Sequence, residues 1–255
     1  MRDNPRTFFW GRVGAMALAM WLAGCAASAT TGSIRGVVTF VGEKPKPRVV
    51  DVGGDPYCQA CWKAEGRDGP VVEPLVLGED NSVQNVLVWI SDGLSNLAFD
   101  QPKAPVVVEL KGCRYAPHVS VVRTRQPLIF RNRDETLHNV HTLPRVNVEW
   151  GMAQPVKGMD TRFDYSRPEV GILVKCDVHA WEYCYVHVLT HPYFDVTGKG
   201  GTFEIRNLPP GEYELSVWHE LKRLVPDRDK IRVKVEVGKT SEMNFTFRPR
   251  TAPAP

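Results

Sequence analysis

Two cysteines and two histidines stand close together in one short run of the chain. The run, LVKCDVHAWEYCYVHVL at residues 173–189, otherwise alternates apolar and polar residues as a β-strand does. Cys176 and His179 form one Cys-x-x-His pair, and Cys184 and His187 form another. Thiolate and imidazole groups are ligands that soft and borderline transition metals prefer. The run therefore predicts a metal site that uses one of the two pairs.

The second pair is the weaker candidate for that site. Residues 184 and 187 lie in the outgoing strand at positions of opposite parity, so their side chains point to opposite faces. We therefore predict that Cys176 and His179, which stand in the turn before that strand, are the metal ligands.

A third ligand is predicted upstream, in YAPHVSVVRTRQPLIFRNRDETLHNVHTL. There, one strand leads through a turn to a second strand that ends at Asn132, and a short loop then reaches His138 and Asn139. Together with the later strand that ends at Cys176, this pattern resembles the cupredoxin family. The resemblance implies a Greek-key β-sandwich that holds one copper ion per chain through His138, Cys176 and His179. Such a set of one thiolate and two imidazoles suits copper in both oxidation states.

The residue three positions after His179 departs from the family pattern. Short cupredoxin loops of the form Cys-x-x-His-Pro-Trp-Met end on a methionine that serves as a weak axial ligand, whereas this chain has Ala180 and Glu182. A carboxylate is a harder, anionic donor that favours Cu(II). We predict Glu182 as the axial ligand, which implies a red rather than a blue copper centre. The alternatives are that Glu182 faces solvent and the axial position is empty, or that Met152 or Met159 fills it.

The fold class follows from a series of short strand-like runs with turn residues between them. They cover residues 34–41, 86–90, 105–110, 119–122, 127–131, 171–176, 184–189, 202–206, 212–218, 231–237 and 242–247. Many short strands with hardly any helical pattern predict an all-β fold of sandwiches or barrels.

A second family resemblance lies towards the C-terminus. TGKGGTFEIRNLPPGEYELSVWHE, residues 197–220, resembles the carboxypeptidase regulatory-like, or transthyretin-like, β-sandwich. Similar pieces occur far upstream, in IRGVVTF and NVLVWISDG. We therefore predict that residues 33–98 and 192–248 form one sandwich and that the copper domain, 99–191, is inserted between them. The competing interpretation is three serial pieces, with 33–98 as an extra sheet of the copper domain.

The N-terminal residues predict export from the cytoplasm. Arginines precede a short apolar run, and residues 1–24 are typical of a signal peptide. The apolar run is too short to span a bilayer. Its end, Leu-Ala-Gly-Cys, resembles a bacterial lipobox, which implies lipidation of Cys25, a leader at 25–32 and a membrane-anchored lipoprotein of the periplasm or cell envelope. Residues 249–255 are rich in proline and predict a disordered tail.

Four further cysteines are candidates for disulfides, because exported proteins tend to pair their thiols. They are Cys58, Cys61, Cys113 and Cys184. The favoured arrangement joins Cys113 to one residue of the Cys58/Cys61 pair and so ties the insert to its host, with Cys184 left for the other, but the connectivity is not readable from the sequence.

These observations favour a membrane-tethered periplasmic electron carrier over an enzyme. Electrons would pass through an exposed histidine edge to a redox partner such as a cytochrome or a periplasmic oxidoreductase. The formal net charge of +3 is too small to predict nucleic-acid binding. One alternative is a copper-dependent binding, catalytic or copper-delivery protein with Glu182 at the axial position. A weaker one is a metal-free carbohydrate-binding or adhesion module.

Overall fold

The computed structural model describes residues 30–50 and 54–250 of the chain. Strands dominate these residues, so the predicted all-β fold class is confirmed. The predicted signal peptide, Cys25, most of the leader and residues 251–255 lie outside the described residues. Within the described ranges, no helix combines the length and the apolarity needed to cross a membrane.

The strands are numbered in chain order. Their bounds are β1 Gly32–Phe40, β2 Arg48–Val49, β3 Val71–Val72, β4 Leu87–Asp92, β5 Val106–Leu110, β6 Tyr115–Ala116, β7 Val119–Arg123, β8 Leu128–Asn132, β9 His138–Leu143, β10 Trp150–Gln154, β11 Asp160–Phe163, β12 Glu169–Lys175, β13 Tyr183–Leu189, β14 Phe194–Val196, β15 Thr202–Leu208, β16 Gly211–Trp218, β17 Leu224–Pro226, β18 Lys230–Val235, β19 Thr240–Glu242 and β20 Phe245–Pro249. The described residues also include one α-helix, α1 (Pro56–Ala64), and a 3₁₀ turn at Glu79–Asn81.

Two sheets are built from strands near the two ends of the described chain. One has the order β15-β1-β20-β17, with β19 beside β1, and the other has the order β14-β4-β16-β18. They share one apolar core, in which Val38, Leu215 and Phe245 are fully buried. Burial of this apolar surface is the main force that holds the two sheets together. We call this unit the host sandwich.

Two other sheets are built from the strands between β4 and β14. Their orders are β10-β9-β12-β13-β7 and β11-β8-β5-β6, and they enclose a separate core that includes Phe130, Ile172 and Val186. We call this unit the inner sandwich. In its larger sheet β9 runs antiparallel to β12, with His141 opposite Lys175. The start of β9 therefore lies at the same end of the sheet as the turn between β12 and β13.

An apolar contact joins the two sandwiches. Leu87 of the host packs there with Val121 and Leu189 of the inner sandwich. Gly171, at a bulge in β12, has a φ of +81°, and a Cβ atom at this position would lie 3.0 Å from the indole nitrogen of Trp218. A larger residue would therefore be strained by its backbone and crowded by the indole ring.

The helix α1 is absent from the predicted strand pattern, and its start explains why it forms. Asp55 is the N-cap, with Oδ1 accepting the backbone N–H of Cys58 at 2.9 Å, and Pro56 follows at the first helical position. The buried face of α1 carries Cys58 and Trp62. A disulfide joins Cys58 to Cys113 in the loop between β5 and β6. The helix is thereby fixed against the inner sandwich.

Candidate metal centre

Four side chains converge at one end of the inner sandwich. His138, Cys176, His179 and Glu182 each offer one ligand atom, and these atoms all lie within 4.8 Å of one another. Each of the four residues is at most 2% exposed. The structure thus brings together the residues whose types and spacing predict a metal site.

Two local elements position these side chains. His138 is the first residue of β9, and the other three lie in the turn that connects β12 to β13. Within that turn, the N–H of Cys176 donates to the carbonyl of Glu182 at 3.0 Å, and the N–H of Glu182 donates to the carbonyl of His179 at 2.9 Å. These bonds close the turn tightly, so the thiol, the imidazole and the carboxyl group share one small space.

The inner nitrogen of each histidine faces the thiol and the carboxyl group. His138 Nδ1 lies 3.0 Å from Glu182 Oε2. His179 Nδ1 lies 3.2 Å from Glu182 Oε1 and 3.8 Å from Cys176 Sγ. The backbone N–H of Asn139 donates to the same sulfur at 3.4 Å. Both Nδ1 atoms, the sulfur and the carboxylate therefore surround one point.

The outer nitrogen of each histidine faces a second carboxyl group. His138 Nε2 lies 3.1 Å from Asp134 Oδ2, and His179 Nε2 lies 3.1 Å from Asp55 Oδ2. Sequence reasoning missed both aspartates. Asp134 stands four residues before His138 in the same loop, which was a usable signal, whereas Asp55 reaches the centre only through the docking of α1.

The centre is covered rather than open at its histidine edge. His179 is 2% exposed, so the predicted exposed edge is wrong. Cys58 Sγ of the disulfide lies 3.8 Å from His179 Nε2. Trp181 packs on the imidazole with ring centroids 5.0 Å apart, and its indole N–H donates to the carbonyl of Cys113 at 3.1 Å. The helix, the disulfide and the indole together exclude water from this side.

Two opposing effects set the pKa values in the cluster: burial disfavours the charged form of each group, and contacts with oppositely charged neighbours favour it. Burial lowers the pKa of His138, but its contacts with Asp134, Cys176 and Glu182 outweigh burial and raise that pKa to about 11. Burial likewise opposes the contacts of His179 with Cys176 and Glu182, which raise its pKa to about 10. Conversely, the two imidazoles overcome the effect of burial and lower the pKa of the Cys176 thiol and of Glu182. The cluster thus favours imidazolium, thiolate and carboxylate.

The donor set fits a bound cation on two grounds. Glu182 Oε1 is buried and receives no well-aligned hydrogen bond, although His179 Nδ1 lies 3.2 Å away, so the oxygen is free to bind a cation held between them. In addition, a divalent cation that replaces the two Nδ1 protons keeps the summed charge of the buried cluster unchanged. Thiolate, imidazole and carboxylate are ligands of copper and of zinc.

The second Cys-x-x-His pair lies apart from the cluster. Cys184 is fully buried in the core of the inner sandwich, where burial raises the pKa of its thiol. His187 is fully buried on the other face of β13 against Trp218, and its Nδ1 accepts the N–H of Gly171 at 3.0 Å. The two residues point to opposite faces of the strand, as their spacing predicts.

The remaining cysteines divide into one pair and several free thiols. Among the described residues, Cys58 and Cys113 form a disulfide, while Cys61 and Cys184 are free like Cys176. Cys184 therefore does not supply the partner for Cys61 that the sequence allowed. Its place in the inner core keeps it away from α1.

Sequence comparisons give no relative for this chain. No family model matches it, and no curated protein matches it.

Similar solved structures cover only part of the chain. A copper-containing nitrite reductase from Thermus scotoductus is 19% identical with a TM-score of 0.30, and the likeness covers 37% of this chain but only 24% of the reductase. A Cu(I) form of an amicyanin mutant is 19% identical with a TM-score of 0.29, covering 40% of this chain and 97% of amicyanin. A purple cupredoxin from Nitrosopumilus maritimus is 14% identical with a TM-score of 0.28, covering 32% of this chain and 97% of that protein.

Proposed function

We propose that this protein holds one copper ion between His138, Cys176, His179 and Glu182 and carries single electrons. The observation that carries the proposal is the convergence of both Nδ1 atoms, the thiol sulfur and the Glu182 carboxylate on one buried point. A bound copper ion would supply the chemistry by alternating between Cu(II) and Cu(I). The set of two imidazoles and one thiolate accommodates both states.

The contribution of the chain's own residues is to fix the positions of the four proposed ligands. The closed turn fixes Cys176, His179 and Glu182, and strand pairing of β9 fixes His138. Burial keeps water away from the sulfur. Ligands that move little when charge changes allow fast electron transfer, and a dry environment tunes the potential. Because the four proposed ligands are buried and the histidine edge is covered, we propose a carrier rather than an enzyme.

The proposed location is the bacterial periplasm or cell envelope, with a lipid on Cys25 as the membrane anchor. The support is the sequence of residues 1–25, with its arginines, short apolar run and lipobox-like end. The Cys58–Cys113 disulfide agrees with an oxidising compartment. The proposed partner is another redox protein, such as a cytochrome or a periplasmic oxidoreductase.

Copper loading of paired cysteine variants tests the proposal. We expect the full chain to bind one copper and to show an intense visible absorption band from thiolate-to-copper charge transfer. Cys176→Ser should abolish the band, whereas Cys184→Ser should keep it, because both thiols are buried but only the first lies in the cluster. Loss of the band in the second variant alone would contradict the ligand assignment. A chain that prefers zinc and stays colourless with copper would contradict the function.

A second candidate function is binding of a small molecule at the metal centre. A cavity of about 230 Å³ borders Glu182 and is also lined by Trp62, Arg114, Tyr115 and Trp181. If this cavity leads to an open ligand position, added azide should change the electron paramagnetic resonance spectrum of the copper-loaded protein. An unchanged spectrum favours the carrier.

A further inference from the structure

On the outer side of the cluster, the Nε2 atom of each histidine also has a carboxylate partner. Both histidines turn Nδ1 inwards and Nε2 towards a carboxyl group that lies outside the four-residue cluster. The two carboxyl groups come from different parts of the fold. Asp134 belongs to the loop before β9 in the inner sandwich, and Asp55 begins α1, which lies in the long connection between the host strands β1 and β4.

Asp134 is surrounded by hydrogen-bond donors. Its Oδ1 accepts the N–H of Gly112 at 2.8 Å and the hydroxyl of Tyr57 at 3.2 Å. Its Oδ2 accepts the N–H of Cys113 at 2.8 Å and faces His138 Nε2. The residue is 1% exposed. A buried carboxylate with this set of neighbours acts only as an acceptor.

Asp55 also accepts hydrogen bonds on both oxygens, although its side chain is more exposed than that of Asp134. Its Oδ1 accepts the N–H of Cys58 at 2.9 Å, which caps α1. Its Oδ2 accepts the hydroxyl of Thr136 at 2.7 Å and faces His179 Nε2. These donors keep both oxygens as acceptors, so His179 Nε2 must carry a proton to pair with Asp55. In the neutral imidazole that binds a metal, the lone pair is then left on Nδ1, which faces the cluster.

The disulfide connects these two supports directly. The backbone N–H that binds Asp55 belongs to Cys58, and one of those that bind Asp134 belongs to Cys113. The two half-cystines are bonded to each other. The position of α1, and with it the position of Asp55, is therefore tied to the loop that holds Asp134.

We propose that Asp55 and Asp134 are positioning residues of the metal centre, which fix both histidines as Nδ1 ligands, and that the Cys58–Cys113 disulfide joins them into one support. This inference rests on the proposed function, because it concerns the same ligands. A carboxylate on the far nitrogen fixes the tautomer and orientation of a ligand histidine and makes it a stronger donor. The segment 55–64, although outside the sheets of the inner sandwich, is then part of the centre.

The variant Asp55→Asn separates this role from helix capping. Asparagine is also a good N-cap, so its amide oxygen can still accept the N–H of Cys58. Its NH₂ group then faces His179 and favours an unprotonated Nε2 with the proton on Nδ1, a tautomer that cannot bind a metal through Nδ1. We expect copper affinity, measured by competition with a chelator, to fall by about 10- to 100-fold.

A matched control and a second variant complete the test. Glu220→Gln changes another carboxylate that pairs with a histidine, since its Oε1 lies 2.7 Å from His118 Nε2, and it should leave copper affinity unchanged. Cys58→Ala combined with Cys113→Ala keeps both aspartates but releases α1, and it should weaken copper binding in the same direction as Asp55→Asn. Equal affinity of all these proteins would overturn the inference.

Nuclear magnetic resonance of the wild-type chain gives an answer that does not depend on the folding of any variant. In the diamagnetic Cu(I) form with ¹⁵N-labelled histidine, both His138 and His179 should carry a proton on Nε2 and none on Nδ1. Protonated Nδ1 on either residue would overturn the inference while leaving copper binding intact. A wild-type chain that binds no copper would overturn the proposed function and this inference with it.

Discussion

Glu182 lies between the two proposed ligand histidines, 3.0 Å from the inner nitrogen of His138 and 3.2 Å from that of His179, and it is 1% exposed. This position excludes the alternative in which its carboxyl group faces solvent. Met152, one of the two alternative axial residues, is 45% exposed on β10. A negative charge next to a bound cation stabilises the higher oxidation state.

Replacement of Glu182 should therefore change the reduction potential in a graded way. We expect Glu182→Met to raise the potential by roughly 100 mV, which is about 2.3 kcal/mol for one electron, because the thioether carries no charge. Glu182→Gln should give an intermediate value, since its amide keeps an oxygen donor. Redox titration and visible spectra of the three copper-loaded proteins measure this effect. One shared spectrum and one shared potential would show that the carboxylate does not bind the metal.

Spacing in the sequence predicts the grouping of Cys176, His179 and Glu182, because all three lie in one short turn. It could not reveal Asp55, which lies far from them in the chain and reaches His179 only after α1 has docked. Nor could it reveal that His179 is covered. Contacts between distant segments depend on packing, which a local pattern does not encode.

At the scale of the elements, β9 shows where the strand pattern fails. The sequence HNVHTL alternates buried and less buried positions, but the buried ones are His138, Val140 and Thr142. Two of these three residues are polar, so the apolar alternation that identifies a strand is missing. The strand-like runs predicted from the sequence therefore omit β9, although the loop after Asn132 was correctly predicted to end near His138. Polar residues at buried positions break the apolar alternation, so a strand that carries them is not recognised from its sequence.

His187, which packs on Trp218 where β13 meets β16, makes the folding stability of the protein depend on pH. Burial lowers the pKa of His187 to about 3, below its value of about 6.5 in the unfolded chain. The native state then binds fewer protons than the unfolded state as pH falls below about 6.5, so acid reduces stability. The loss attributable to this histidine is about 2 kcal/mol between pH 7 and pH 5.

Urea unfolding of the metal-free protein at these two pH values measures that loss. The variant His187→Asn keeps an acceptor for the N–H of Gly171 but does not titrate. Wild type should therefore lose about 2 kcal/mol more than the variant on acidification. If both proteins lose the same free energy of unfolding, the neutral, buried state of His187 contributes nothing to the pH dependence.

At the scale of the whole molecule, the chain leaves the host sandwich after β4 and returns to it at β14. The two connections meet in space, since the rings of Phe99 and His191 lie 6.2 Å apart. Ends that are close together are typical of an inserted domain. This arrangement supports the proposed division into 33–98 with 192–248 and 99–191, rather than three serial pieces.

Replacement of residues 100–190 by a short Gly-Ser linker should leave the host sandwich folded. The deletion uncovers Trp89 and Trp218, which pack against the inner sandwich, so we expect a melting temperature lower by roughly 5–10 °C and a red shift of tryptophan fluorescence. Circular dichroism should still show β-structure. An unfolded product would favour a single cooperative unit over an inserted domain.

The position of Asp55 in the chain limits how the proposed copper centre can be moved to another protein. All four proposed ligands lie within residues 138–182, which makes the inner sandwich look like a portable module. The helix α1, which covers His179, however, precedes the insert in the chain and contains Asp55 as its N-cap and Cys58. A graft of residues 99–191 into a foreign protein would carry all four proposed ligands and Asp134. It would lack Asp55, the carboxylate proposed to orient His179. A graft that works must take the helix along, either on its own linker or within a host that presents it.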